Sequence, residues 1–126
     1  MSWKSQQGFT LGFFLNEVTQ QVLNIPSNQN TFLYTSPPLP VGVWLVIIND
    51  ISLTGDLIQS VLTAFVGIDA VAACGSLTDV NTFPSLIFCV NSNGASVVSV
   101  EVDCDTSAGT WDVSSGKVQL VKLTNI

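Results

Sequence analysis

Histidine and arginine are both missing from this chain, and lysine occurs only as Lys4, Lys117 and Lys122. Without an imidazole there is no base for a Ser or Cys triad and no histidine metal ligand. The Gly-x-Ser-x-Gly elbow and the glycine-rich phosphate loops are also absent. The chain is therefore not expected to be an enzyme, and no catalytic residue, metal ligand or cofactor is assigned to it. Three basic residues stand against nine acidic ones, for a net charge of −6. Phosphate backbones are bound by clustered Lys and Arg, so nucleic acid and anionic membrane surfaces are excluded as expected partners.

Charge of either sign is scarce. Only 10% of the residues are charged, against roughly a quarter in an average soluble domain, which leaves much of the surface to Ser, Thr, Asn, Gln and apolar groups. Such a surface suits contact with other protein. The opening MSWKSQQGF has no apolar core of the secretory type, and no apolar run reaches the ~18–20 residues that span a bilayer, so the expectation is synthesis in the cytoplasm without membrane insertion. Three cysteines, Cys74, Cys89 and Cys104, lack CxxC spacing, which speaks against a disulfide framework or a zinc site. They read as small buried hydrophobes, with a Cys89–Cys104 bridge across an intervening turn as the alternative.

The 126 residues suit one domain. Short segments rich in Val, Ile, Thr and Phe are bounded by Gly, Pro, Asn and Ser, the pattern of an all-β antiparallel sandwich of about 8–10 strands. Residues 1–8 read as an N-terminal tail in which Trp3 anchors the chain to a partner, and 9–126 as the domain. Phe9, Leu11, Phe13 and Leu15 alternate with polar or small residues, the period-two mark of a half-buried strand. Glu17–Ile25 fits a strand or a helical turn, with the β-branched residues favouring strand. Asn91–Gly94 predicts a tight hairpin between Leu86–Val90 and Ala95–Cys104. In the second arm Val98, Val100, Val102 and Cys104 face the core, while Ser99, Glu101 and Asp103 face water.

The densest apolar stretch is PPLPVGVWLVIINDISLTG, Pro37–Gly55. Read as one strand, Val43–Leu53 places Leu45, Ile47, Ile51 and Leu53 on the core side. The other side carries Trp44, Val46 and Ile48 and then turns polar at Asp50, Ser52 and Thr54, so half of an outward face is dry. The next strand, Leu57–Ile68, puts Ile58, Leu62, Ala64, Val66 and Ile68 inward and leaves Val61 and Phe65 outward. Either a long loop of the same chain or a neighbouring subunit covers this second apolar face, since exposed apolar patches above a few hundred Å² mark interfaces. Trp44, Val46, Ile48, Val61 and Phe65 are thus the expected intersubunit residues.

One acidic segment, EVDCDTSAGTWD, holds Glu101, Asp103, Asp105 and Asp112. Asp-x-Asp-x-Ser opens like a calcium loop, but Gly109 and Asp112 fall at the wrong offsets for an EF-hand. The segment reads as a solvent-facing strand running into a polar turn, with a flexible calcium cage as the other reading. Trp111, beside Asp112, either closes the end of the core or, with Asp112, contacts a ligand such as a sugar.

The run LPVGVWLVIINDISLTG resembles the Pro-x-Gly-x-aromatic-x-Val strand of the C1q/tumour-necrosis-factor-like jelly roll, above all the versions at the heads of viral and phage fibres. LTGDLIQSVLTAFVG, CVNSNGASVVSVEV, the Gly-Thr-Trp segment and KVQLVKLTNI are compatible with it. The resemblance implies a ten-stranded jelly roll that forms a homotrimer around inner-sheet aliphatic and aromatic residues. It further implies a virion structural protein, a capsid-associated or fibre-head component. Its partners would be other virion proteins and a host-surface glycan or receptor. A carbohydrate-binding β-sandwich module is the alternative.

Overall fold

The computed structural model describes residues 14–77 and 82–123. Phe9, Leu11, Phe13 and the proposed tail with Trp3 lie outside them. The described residues form eleven strands and no helix: β1 (Phe14–Val18), β2 (Val22–Ile25), β3 (Thr31–Thr35), β4 (Gly42–Asn49), β5 (Leu53–Thr54), β6 (Leu57–Val66), β7 (Asp69–Leu77), β8 (Leu86–Ser92), β9 (Val98–Thr106), β10 (Trp111–Val113) and β11 (Lys117–Lys122). The ambiguous Glu17–Ile25 segment is two strands with a break at residues 19–21. The count exceeds the expected range because β5 and β10 are only two and three residues long.

Two four-stranded sheets, ordered β1-β11-β4-β8 and β3-β9-β6-β7, supply most of the chain, and β2-β10-β5 forms a small third sheet. Every strand pair is antiparallel. The pairs β6·β7, β4·β8, β3·β9 and β1·β11 are nested, each enclosing the one before it in sequence. The chain thus pairs like one long hairpin whose arms fold over, and both large sheets turn their apolar rows into a shared core.

One side of that core comes from β4. Ile48 lies between Val118 and Leu86, and Val46 between Leu120 and Phe88, in adjacent cross-strand rows. Trp44, Val46 and Ile48 are 0%, 0% and 1% exposed. The other side comes from Val98, Val100, Val102 and Cys104 of β9, Leu62 and Ala64 of β6, and Leu33 of β3. A tryptophan tolerates full burial only when its N–H finds a partner, and Trp44 Nε1 donates to the Pro40 carbonyl at 2.9 Å. The proline-rich approach to β4 therefore supplies the hydrogen-bond partner of a core side chain. Leu39, between two of its prolines, is itself wholly buried.

The inward face of β4 is the reverse of the one expected. Val43–Leu53 is not one strand: Asp50 adopts φ +64°, a left-handed conformation that ends the pleat after Asn49. Parity cannot be counted across that break. Ile51 and Leu53 do reach the core, each 1% exposed, but on the far side of the bend, while Leu45 and Ile47 face outward. Trp44, Val46 and Ile48 need no neighbour, because the chain's own sheets cover them.

Two further expectations change for similar reasons. Leu62 and Ala64 are core residues as read, but Ile58 and Ile68 are exposed. A pairing irregularity between Leu57 and Gln59 resets the phase of β6, and Ile68 sits in the turn to β7. Asn91–Gly94 does turn, with Gly94 at φ +100°, yet it joins no hairpin. β8 pairs with β4 and β9 with β3 and β6, so this turn carries the chain from one sheet to the other. The tight hairpin in this fold is β6–β7, closed through Gly67 and Ile68.

Candidate functional site

The five expected interface residues do not come together. Trp44, Val46 and Ile48 point into the core, whereas Val61 and Phe65, paired with Asp103 and Ser99, lie half-buried on the outer surface of β3-β9-β6-β7. Ser99 itself, expected to face water, is buried there beside Phe65. The surplus apolar face exists, but the alternate phase of β4 carries it. Leu45 sits between Val121 and Cys89, and Ile47 between Gln119 and Ile87. Leu45, Ile47 and Val121 are half-buried, Cys89 is exposed, and Ile87 is 61% exposed. These side chains make an apolar strip about 10 Å across three strands, with Val43 extending it.

Sequence reasoning missed Leu45, Ile47, Ile87 and Cys89 as surface residues. The usable signal lay in β11, where Lys117 and Gln119 alternate with Val118 and Leu120 and so fix which side is wet. Converting it into the phase of β4 requires knowing that these two strands pair.

Trp111 and Asp112 have structural duties. Trp111 is 0% exposed and its Nε1 donates to the Pro26 carbonyl at 3.0 Å. It closes the end of the core, one of the two readings above, and offers no face to a sugar. Asp112 Oδ1 accepts the backbone N–H of Asn24 at 2.7 Å, holding a residue at φ +58°. The expected ligand contact at this pair is withdrawn for that reason.

The acidic segment divides in the same way. Glu101, Asp103 and Asp105 share the outward side of β9, while Asp112 belongs to β10. Successive outward residues on a strand stand about 7 Å apart, so the three span about 14 Å, too far for one small ion to gather all of them. No group of three carboxylates or thiols among the described residues is placed to hold a metal. Burial, and then the charge of Asp103, push the Glu101 carboxyl above its usual range. One oxygen each of Asp103 and Asp105 is withdrawn from solvent without a hydrogen-bond donor.

All three thiols are free. Cys104 points into the core and Cys89 lies on the outer face of the opposite sheet, so the bridge considered between them is geometrically excluded. Burial, reinforced by Asp103 and Asp105, raises the Cys104 thiol to about 11, and burial raises Cys74 as well. Since thiolates are the reactive form, iodoacetamide at neutral pH is expected to alkylate Cys89 first and Cys104 only after unfolding. Peptide mapping by mass spectrometry checks this, and prompt labelling of Cys104 in the native protein would contradict the core assignment.

No protein-family model matches the chain, and no curated protein matches it in sequence.

Proposed function

We propose that the chain is a jelly-roll domain of the C1q/tumour-necrosis-factor-like class, built for assembly rather than catalysis. The nested pairing supports the topology. With the short β2, β5 and β10 set aside, eight strands remain, and the first pairs with the last, the second with the seventh, the third with the sixth and the fourth with the fifth. A long hairpin rolled so that alternate strand pairs enter opposite sheets is a jelly roll.

More particularly, the chain is a virion structural protein, a homotrimeric capsid-associated or fibre-head component that contacts other virion proteins and a host-surface receptor or glycan. The observation that carries the assembly is the apolar outer strip of β1-β11-β4-β8. Val121, Leu45, Cys89, Ile47 and Ile87 lie in adjoining rows there, in a chain with few charges to spend on its surface. Around a three-fold axis each copy covers this strip on its neighbours. The interface is therefore reassigned to the side of β4 opposite Trp44.

Sedimentation equilibrium at micromolar concentration tests the reading. The expected mass is three times the 13.4 kDa chain, falling to one chain when Ile47→Asp places a charge in the strip. A monomeric wild-type protein would sink the proposal. So would a trimer indifferent to both Ile47→Asp and Leu45→Asp.

A further inference from the structure

The outer surface of β3-β9-β6-β7 has a different character from the strip just described. Phe32, 53% exposed, stacks obliquely on Phe65 with ring centroids 6.1 Å apart. Beside them Glu101 lies between Phe32 and Thr63, and Asp103 is paired with Val61. The two features together describe a two-part contact, an apolar anchor and an anionic track.

Charge is also segregated between the sheets. β3, β6, β7 and β9 contain no lysine or arginine, whereas Lys117 and Lys122 both belong to β11 in the opposite sheet. Lys117 there faces Asp50 at 3.9 Å. The carboxylates of β9 therefore have no cation within their own sheet. Asp103 and Asp105 each keep one oxygen out of water without a donor, a cost that a nearby positive charge offsets.

We infer that the outer face of β3-β9-β6-β7 docks an extended Lys- or Arg-bearing segment of a different protein, its cations along Glu101, Asp103 and Asp105 and an apolar side chain on Phe32 and Phe65. A second copy of this chain does not suit the face: with a net charge of −6 and no arginine, it would oppose acid to acid. The docking surface lies on the opposite sheet from the assembly strip and does not depend on it.

The probe is an alternating lysine–leucine peptide of about ten residues, long enough to cross the sheet as an extended strand, with a glutamate–leucine peptide as control. Backbone amide spectra of the full chain are followed during titration. The expected result is saturable binding with shifts gathered on Phe32, Thr63, Phe65, Glu101 and Asp103. Affinity is expected to weaken about ten-fold or more as salt rises from ~0.05 to ~0.5 M, as screening requires. Glu101→Gln with Asp103→Asn should weaken it about ten-fold, as should Phe32→Ser, an exposed change that leaves the core intact. Asp50→Asn, in the bend after β4 and away from this face, should leave it unchanged. Three results would overturn the inference: no saturation at millimolar peptide, shifts spread over other faces or confined to the β7 edge, or equal affinity in the double variant.

Discussion

Truncating Trp44 to alanine is expected to remove a large share of the stability of the domain, about 3–5 kcal/mol by the usual cost of emptying a large aromatic site. A domain of this size has only about 5–15 kcal/mol in all. Three features put Trp44 at the upper end. It is wholly buried. It lies on β4, one of the two central strands of its sheet, between Lys122 of β11 and Val90 of the edge strand β8. Its indole N–H is already bonded to the Pro40 carbonyl, so the loss includes a hydrogen bond as well as a cavity. Urea unfolding followed by circular dichroism measures the effect. Ile47→Asp, three residues away on the same strand, provides the contrast: it changes assembly while the isolated fold persists. Had the outward phase been the Trp44 phase, Trp44→Ala would fold normally and Ile47→Asp would unfold the chain. The pair of variants thus separates the two readings of β4 without a structure.

That reversal shows what the residues made legible and what they did not. The all-β class followed from short β-branched runs between turn residues, and the inward row of β9 was read correctly residue by residue: Val98, Val100, Val102 and Cys104 are all buried. β9 is uninterrupted across those positions and polar on its other side, so alternation alone orients it. β4 is apolar on both sides, and there alternation carries no orientation. The reading leaned on Ile51 and Leu53, which lie beyond the left-handed Asp50. A local Asn-Asp pair was enough to invalidate a count made across it.

Non-local pairing explains the remaining differences. Asn91–Gly94 has the chemistry of a tight turn and makes one: Asn93 Oδ1 accepts the Ala95 N–H at 3.0 Å and the Ser92 hydroxyl accepts the Gly94 N–H at 3.1 Å. Nothing local distinguishes a turn between paired strands from one that crosses between sheets. Trp111 was ambiguous because its burial depends on Ile25 and Pro26, distant in sequence, which meet it through β2 and a carbonyl. The candidate interface inherited the phase error of β4. The existence of a surplus apolar face was legible; the residues forming it were not.

Gly116→Ala is expected to be nearly as damaging as the loss of Trp44, although it adds a single methyl. A Cβ at this position would lie 2.5 Å from Ile51 Cγ1 and 2.6 Å from the Asn49 carbonyl oxygen. The Ile51 side chain is buried, and the Asn49 backbone is held by its pairing with Lys117 and by the bend at Asp50, so neither neighbour can withdraw cheaply. Moving Gly116 instead breaks a reciprocal link to Thr19, the residue that follows β1: its N–H donates to Thr19 Oγ1 at 2.6 Å, and its carbonyl accepts the Thr19 N–H at 3.0 Å. Overpacking of this kind costs about 1–3 kcal/mol and the lost hydrogen bond about 1 more. With a urea dependence of about 1–3 kcal/mol per molar, the unfolding midpoint should fall by about 1–2 M. Gly109→Ala supplies the comparison. Its Cβ meets nothing within 4 Å, and only the φ of +74° opposes it, at a cost of about 1–2 kcal/mol. If Gly116→Ala proved no worse than Gly109→Ala, the close approach of β11 to the end of β4 would be wrong, and with it the bend that sets which face of β4 is dry.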